Sequence, residues 1–209
     1  MVPGHDVLVY SGPVVAAQSV RSAVGTVSSV SAYVALLRGI NPNNPKMRNA
    51  ELVRVVEHLG FRQVRAVIST GNVLFESSEH GPGELADLEN TIEDALGRHL
   101  DKPCSTIVRT RAQIDDLLGS DVFDGFDDVP TSRFNVTFLK DPVPPGVALP
   151  ATGAGSELIA VRDQAVFSLY DSTASKTPDL MAKLEKAYGK QITTRTWKTV
   201  QRIAKAFGP

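Results

Sequence analysis

A chain of 209 residues, 42% hydrophobic and 22% charged, has the composition of a globular protein and can hold one large domain or two of roughly 100 residues. A formal net charge of -1 excludes wholesale coating of nucleic acid and adsorption to a membrane surface, and no stretch approaches the ~18 uninterrupted apolar residues that span a bilayer. One cysteine, Cys104, excludes an internal disulfide framework and fits a reducing compartment.

Residues 1–30 are rich in Ser, Val, Gly and Ala without a sustained period, and they are expected to be a poorly ordered extension. They lack a basic n-region, Asp6 interrupts their start and Gly12-Pro13 breaks the apolar run, so an export signal is not expected and the cytoplasm is the expected location. Tyr33 to Gly39 (YVALLRG) reads as a buried central strand, and INPNNPK after it as a loop. Arg48 to Leu59 carries Leu52, Val55, Val56 and Leu59 at helical spacing, with Gly60 to end it. Val64 to Ile68 and Asn72 to Phe75 read as strands joined by a turn at Ser69-Thr70-Gly71. Glu84 to Leu100 is a second helix with Leu85, Leu88, Ile92, Leu96 and Leu100 on one face, and Ser105 to Val108 closes the unit as a strand. This β-α-β-β-α-β order is ferredoxin-like: an antiparallel sheet with both helices on one face. Cys104, in an alternating stretch, is expected to be a small buried hydrophobe.

The second half repeats the theme. Thr110 to Leu118 is a linking helix, followed by the acidic loop GSDVFDGFDDVP, read as a solvated turn. Phe134 to Leu139 is a strand, Leu158 to Val161 and Ala165 to Tyr170 a hairpin, and Pro178 to Tyr188 a helix ended by Gly189. Ile192 to Thr194 is a brief strand, and Thr196 to Phe207 a last helix capped by Thr196. The fold expected is α+β, with two ferredoxin-like halves at 31–110 and 111–209 and an extra C-terminal helix. Charge is uneven between them. From Glu76 to Pro130 fourteen residues are acidic and four basic; from Lys176 onward eight are basic and two acidic.

Three blocks, YVALLRGIN at Tyr33 to Asn41, STGNVLF at Ser69 to Phe75 and TTRTWKTV at Thr193 to Val200, resemble a bacterial family, the domain-of-unknown-function family 1697. The resemblance runs from about Tyr33 to Phe207 and implies two ferredoxin-like halves; it implies no activity. The sequence departs from the family pattern in three places. Thr196 stands where the family usually has asparagine, the loop PNNPK lacks the usual glycines, and a Pro/Gly-rich link between Lys140 and Glu157 replaces a helix.

Candidate ligand-binding residues are basic. Arg38 and Asn41 close a strand and open an Asn-rich loop, a pattern able to grip an anion with a guanidinium and backbone N–H groups. Lys176 precedes a helix N-terminus, and Arg195 and Lys198 surround the last strand-helix junction. Thr70 and Asn72 are secondary candidates, since their turn has no adjacent base to activate a nucleophile. Trp197, also secondary, either anchors the last helix or stacks on a base. The histidines lack metal-ligand spacing, the aspartates of the acidic loop do not match a calcium loop, and no dinucleotide fingerprint is present, so no metal and no cofactor is expected. The expected function is binding of an anionic ligand, a nucleotide or nucleic acid, at a basic surface between the halves. An enzyme acting on a small phosphorylated or carboxylated metabolite, and a protein-interaction or structural module, are the alternatives.

Overall fold

The computed structural model describes residues 30–78, 84–143, 155–162, 164–173 and 177–208. The expected N-terminal extension lies outside these residues except for its last position, as does most of the Pro/Gly-rich link.

The first half comprises β1 (Ser31–Leu37), α1 (Asn49–Glu57), β2 (Arg62–Ala66), β3 (Asn72–Ser77), α2 (Leu85–Leu100) and β4 (Thr106–Thr110). A single 3-10 turn, Pro45–Met47, interrupts the loop before α1. After α3 (Arg111–Leu118), the second half comprises β5 (Ser132–Leu139), β6 (Ser156–Arg162), β7 (Ala165–Asp171), α4 (Thr177–Tyr188), β8 (Ile192–Thr196) and α5 (Trp197–Phe207). Each half forms a four-stranded antiparallel sheet, in the orders β2-β3-β1-β4 and β6-β7-β5-β8. The two orders are the same when read within each half, which makes the molecule a pair of ferredoxin-like halves.

Alternation along the strands assigns each face. In β1, Tyr33, Ala35 and Leu37 point to the layer of α1 and α2, where Leu52, Val56, Leu88, Ile92 and Leu96 complete one core. Val34 and Leu36 point the other way, into a second core filled from both halves by Leu74, Ile107 and Ile114 on one side and Val136, Phe138, Phe167, Val200 and Ile203 on the other. Within this middle layer α3 and α5 pack against each other. A third, smaller core lies under α4, where Leu180 and Leu184 meet Leu139, Val166 and Ile192. The central strands are buried on both faces, which is why β1 reads as an apolar run rather than an alternation.

Both inner helices begin on a threonine. The Thr196 hydroxyl accepts the Thr199 N–H at α5, as the sequence predicts, and Thr110 and Gln113 form a capping box at α3 that the sequence reading did not include. The expected strands at Ser105 to Val108 and Ile192 to Thr194 extend instead to Thr110 and Thr196, because each pairs with a long central strand up to the cap.

Because the middle core belongs to neither half alone, the protein is expected to unfold in one transition, with far-UV circular dichroism and tryptophan emission changing together. Phe138→Ala, at a fully buried position of this core, is expected to lower that shared transition by about 3–5 kcal/mol. Two separated transitions, with only one shifted, would contradict the shared core.

Candidate functional site

Arg195 stands on the inner face of β8 with 9% of its surface exposed, and its guanidinium is a dense polar node. Its Nε–H donates to Asn72 Oδ1, Nη1 to Thr193 Oγ1 (2.8 Å) and the Thr194 carbonyl (2.9 Å), and Nη2 to the carbonyls of Leu37 (2.7 Å) and Gly71 (3.1 Å). An arginine has five N–H donors, and all five are used. Burial lowers its pKa to about 10, still far above neutrality. Asn72 is equally committed: 1% exposed, it donates to the Val67 carbonyl and to Thr70 Oγ1, both at 3.0 Å.

Gly71 is held tightly beside this node. Its φ of +75° suits glycine, and a Cβ there would meet Ile40 Cγ1 at 2.6 Å. Ile68, two residues before Thr70, takes φ +53°, a strained value for a β-branched residue, and the Asn49 side-chain amide holds its carbonyl at 3.0 Å.

Arg38 leaves the end of β1 toward the other half, where it donates to Glu185 of α4 and to the carbonyls of Lys190 and Ile192. Lys140, at the end of β5, reaches in the opposite sense to Glu93 of α2 at 3.0 Å. These two links sew each half to the other's outer helix. Arg38 also lines an open groove of about 1050 Å³ with Arg98, Lys102, Lys190, Glu93 and Asp101, a mixture of both signs of charge. Asn41 is exposed in the following loop, where its Oδ1 accepts the Asn43 N–H as a turn contact. Thr70 is exposed beside Gly71, and Lys176 lies outside the described residues.

Lys198 lies elsewhere. With Thr196, Trp197 and Gln201 of the α5 junction it lines a groove of about 630 Å³, whose other wall is Phe123, Phe126, Ser132, Arg133 and Phe134. Trp197 is half-buried and serves both environments. It meets Phe123 edge to face at 5.1 Å and Phe167 at 6.3 Å on the core side, and it opens to the groove on the other. Lys198 is 76% exposed and 3.8 Å from Asp128, a surface pair of little energetic weight. The basic surface expected between the halves therefore does not form from the described candidates. Arg195 is consumed inside, Arg38 is paired with Glu185, and Lys198 belongs to the aromatic groove.

A family model described as "Protein of unknown function (DUF1697)" matches residues 30–167, about two thirds of the chain. The chain belongs to this family. No curated protein matches it in sequence. Among solved structures, the conserved bacterial protein SP0830 from Streptococcus pneumoniae is similar over 87% of this chain and all of its own, with 18% identity and a TM-score of 0.59, a likeness of fold. The three family-like blocks of the sequence thus acquire a physical meaning: they converge on Arg195, which joins Thr193 and Thr194 to Asn72, Gly71 and Leu37.

Sequence reasoning missed the groove's aromatic wall. The aspartates of the acidic loop are exposed, as expected of a solvated turn, but Phe123 and Phe126 between them are half-buried and line the groove. Their spacing within a polar loop was the available signal. Cys104 is 3% exposed, and burial raises its thiol pKa to about 11, in keeping with a packing role. Among the described residues no helix is long and apolar enough to cross a membrane, and no group of His, Cys, Asp and Glu is arranged to hold a metal.

Arg195→Met strands the Leu37 carbonyl and the Asn72 amide oxygen in the interior, and is expected to cost about 3 kcal/mol or more in urea unfolding. Gly71→Ala, which adds left-handed strain and a clash with Ile40, is expected to cost about 1–3 kcal/mol. Lys198→Ala should change stability by no more than about 0.5 kcal/mol. An Arg195→Met protein as stable as wild type would remove the guanidinium from this role.

Proposed function

We propose that the protein is a cytoplasmic binding protein for a planar anionic small molecule of the nucleotide class, taken into the aromatic groove at the start of α5. One observation carries this reading: the chain's single tryptophan and three phenylalanines wall a groove of about 630 Å³ whose rim holds Arg133 and Lys198 against one carboxylate, Asp128. That volume lies within the roughly 300–1,000 Å³ of small-molecule sites, and mostly apolar walls with a few polar groups are their usual make-up. The aromatic faces suit a planar ring. An anionic tail would meet Lys198 and the first turn of α5, whose dipole favours negative charge. Arg133 is already oriented by the carbonyls of Pro130 (2.7 Å) and Ser132 (2.9 Å).

A polymeric nucleic acid is the weaker reading. Ferredoxin-like domains that bind RNA stack bases on an open sheet face, whereas the inner faces of both sheets here are filled by Val34, Leu36, Val136, Phe138 and Phe167. The groove accommodates one ring system rather than a strand.

Because Trp197 is the only tryptophan, titration of its emission with purine and pyrimidine nucleotides tests the site directly. Saturable quenching is expected. Lys198→Ala should weaken affinity about three- to tenfold, and added salt should weaken it further. Trp197→Phe should abolish the optical signal while a nucleotide still raises the melting temperature. Unchanged emission and melting temperature at millimolar nucleotide would end the proposal.

A further inference from the structure

The two halves end their last strands on the same dipeptide, Arg109-Thr110 and Arg195-Thr196, 86 residues apart. In both, the threonine caps the following helix and the arginine points into the middle layer. In both, Nη2 donates to the carbonyl of the last residue of the opposite half's first strand, Leu139 for Arg109 and Leu37 for Arg195. Both guanidiniums are desolvated enough to bring their pKa to about 10. They differ in how their donors are spent. Arg195 uses five. Arg109 uses two, the second being Nη1 to the Val108 carbonyl at 2.7 Å. Glu89 Oε1 stands 3.8 Å from Nη1, a charge neighbour beyond hydrogen-bond reach. Nε–H and one hydrogen on each terminal nitrogen therefore have no acceptor among the described residues, although the side chain is only 4% exposed.

Buried donors are seldom left so. Among the described residues the only side-chain polar atoms sealed from solvent without a partner are the hydroxyls of Ser168 and Tyr188. Arg109 Nε has no partner and is not among them, so it is not sealed from solvent, and the side chain lines one accessible space. That space is a cavity of about 300 Å³ between α3 and the β6–β7 hairpin, bordered by Gln113, Ser120, Gln164, Asp116 and Arg162. Gln113 spends its Oε1 on the Thr110 N–H (2.9 Å), which leaves its NH₂ group to the cavity. The mouth carries Arg162 and Asp116, both exposed.

We infer that this cavity is a second binding site, one that takes a phosphate-sized oxyanion on the unused N–H donors of Arg109 and on the Gln113 amide, with Arg162 at its mouth. The nearby carboxylates do not fill that role. Glu89 is committed to the Val108 N–H at 2.9 Å and lies 3.8 Å from Lys140, which in turn holds Glu93 at 3.0 Å. Asp116 stands in water, where its charge is screened, whereas Arg109 is shielded from water and bonds an anion strongly. At about 300 Å³ the cavity is at the lower limit of ligand pockets, which favours a compact anion over a nucleoside.

The test is binding of inorganic phosphate to the full chain, by calorimetry and thermal unfolding, against chloride at matched ionic strength. At tenfold excess over Kd, phosphate is expected to raise the melting temperature by about 3 °C or more beyond chloride. Gln113→Glu keeps the capping box, since glutamate serves that position equally, but sets a carboxylate against Arg109. It is expected to weaken phosphate binding about tenfold or more, and Arg162→Ala about threefold. Lys198→Ala, on the aromatic groove, should bind phosphate as wild type does, and phosphate should leave Trp197 emission unchanged. The inference is overturned if wild type gains nothing from phosphate beyond chloride, if Gln113→Glu binds it undiminished, or if Lys198→Ala alone loses it. Should Gln113→Glu fail to fold, the surface change Arg162→Ala decides in its place.

Discussion

The whole assembly depends on a guanidinium buried without a carboxylate. Arg195 carries its charge into the middle layer and meets only neutral acceptors: three carbonyls, one hydroxyl and one side-chain amide oxygen. Removing a cation from water is costly, and five charge-assisted hydrogen bonds are what offset it. The geometry that supplies them requires β8 of one half to lie beside the ends of β1 and β3 of the other. The arginine is thus a register pin between halves. Shifting β8 by one residue would turn Arg195 to the outer face and leave the carbonyls of Leu37 and Gly71 facing an apolar layer.

This constraint decides which polar side chains are left for a ligand. Three of the residues in the family-like blocks, Arg195, Asn72 and Gly71, are spent on assembly, and Arg38 is spent on a cross-link to α4. Polar residues at strand ends looked like ligand-binding groups because the chemistry that grips an anion is the chemistry that caps a carbonyl. What remains open to solvent with organised chemistry lies at the start of α5, where Trp197, Lys198 and the phenylalanines of the acidic loop meet, and at Arg109, the counterpart of Arg195 with donors to spare.

The mirrored pair also explains how the same local sequence serves two ends. Arg-Thr at the close of a fourth strand sets an arginine inward and a threonine as cap in both halves. Around Arg195 the tight turn at Gly71 brings a carbonyl and an amide oxygen close enough to saturate it. Around Arg109 a cavity remains, lined on the facing side by Arg162, Gln164 and Ala165. Identical covalent chemistry becomes a pin in one half and an unfilled donor set in the other.

Local signals were sufficient for the β-α-β-β-α-β order, the apolar stripes of α1 and α2, the Thr196 cap and the burial of Cys104, because periodicity, capping and hydrophobicity act within a few residues. Chain position could not tell that Arg195 meets Asn72 across 123 residues and Leu37 across 158, since such contacts exist only once both sheets share a core. Trp197 shows the same division. Its place on the apolar side of α5 is written in the spacing of Val200, Ile203 and Phe207, but whether that side ends in core or groove depends on Phe123, brought there by a loop that reads as solvent-facing. Apolar burial and the cap of α5 are legible along the chain because they depend on near neighbours; which charges hold the halves together and which stay available for a ligand is settled only by the fold, because a donor's availability depends on acceptors supplied from the other half.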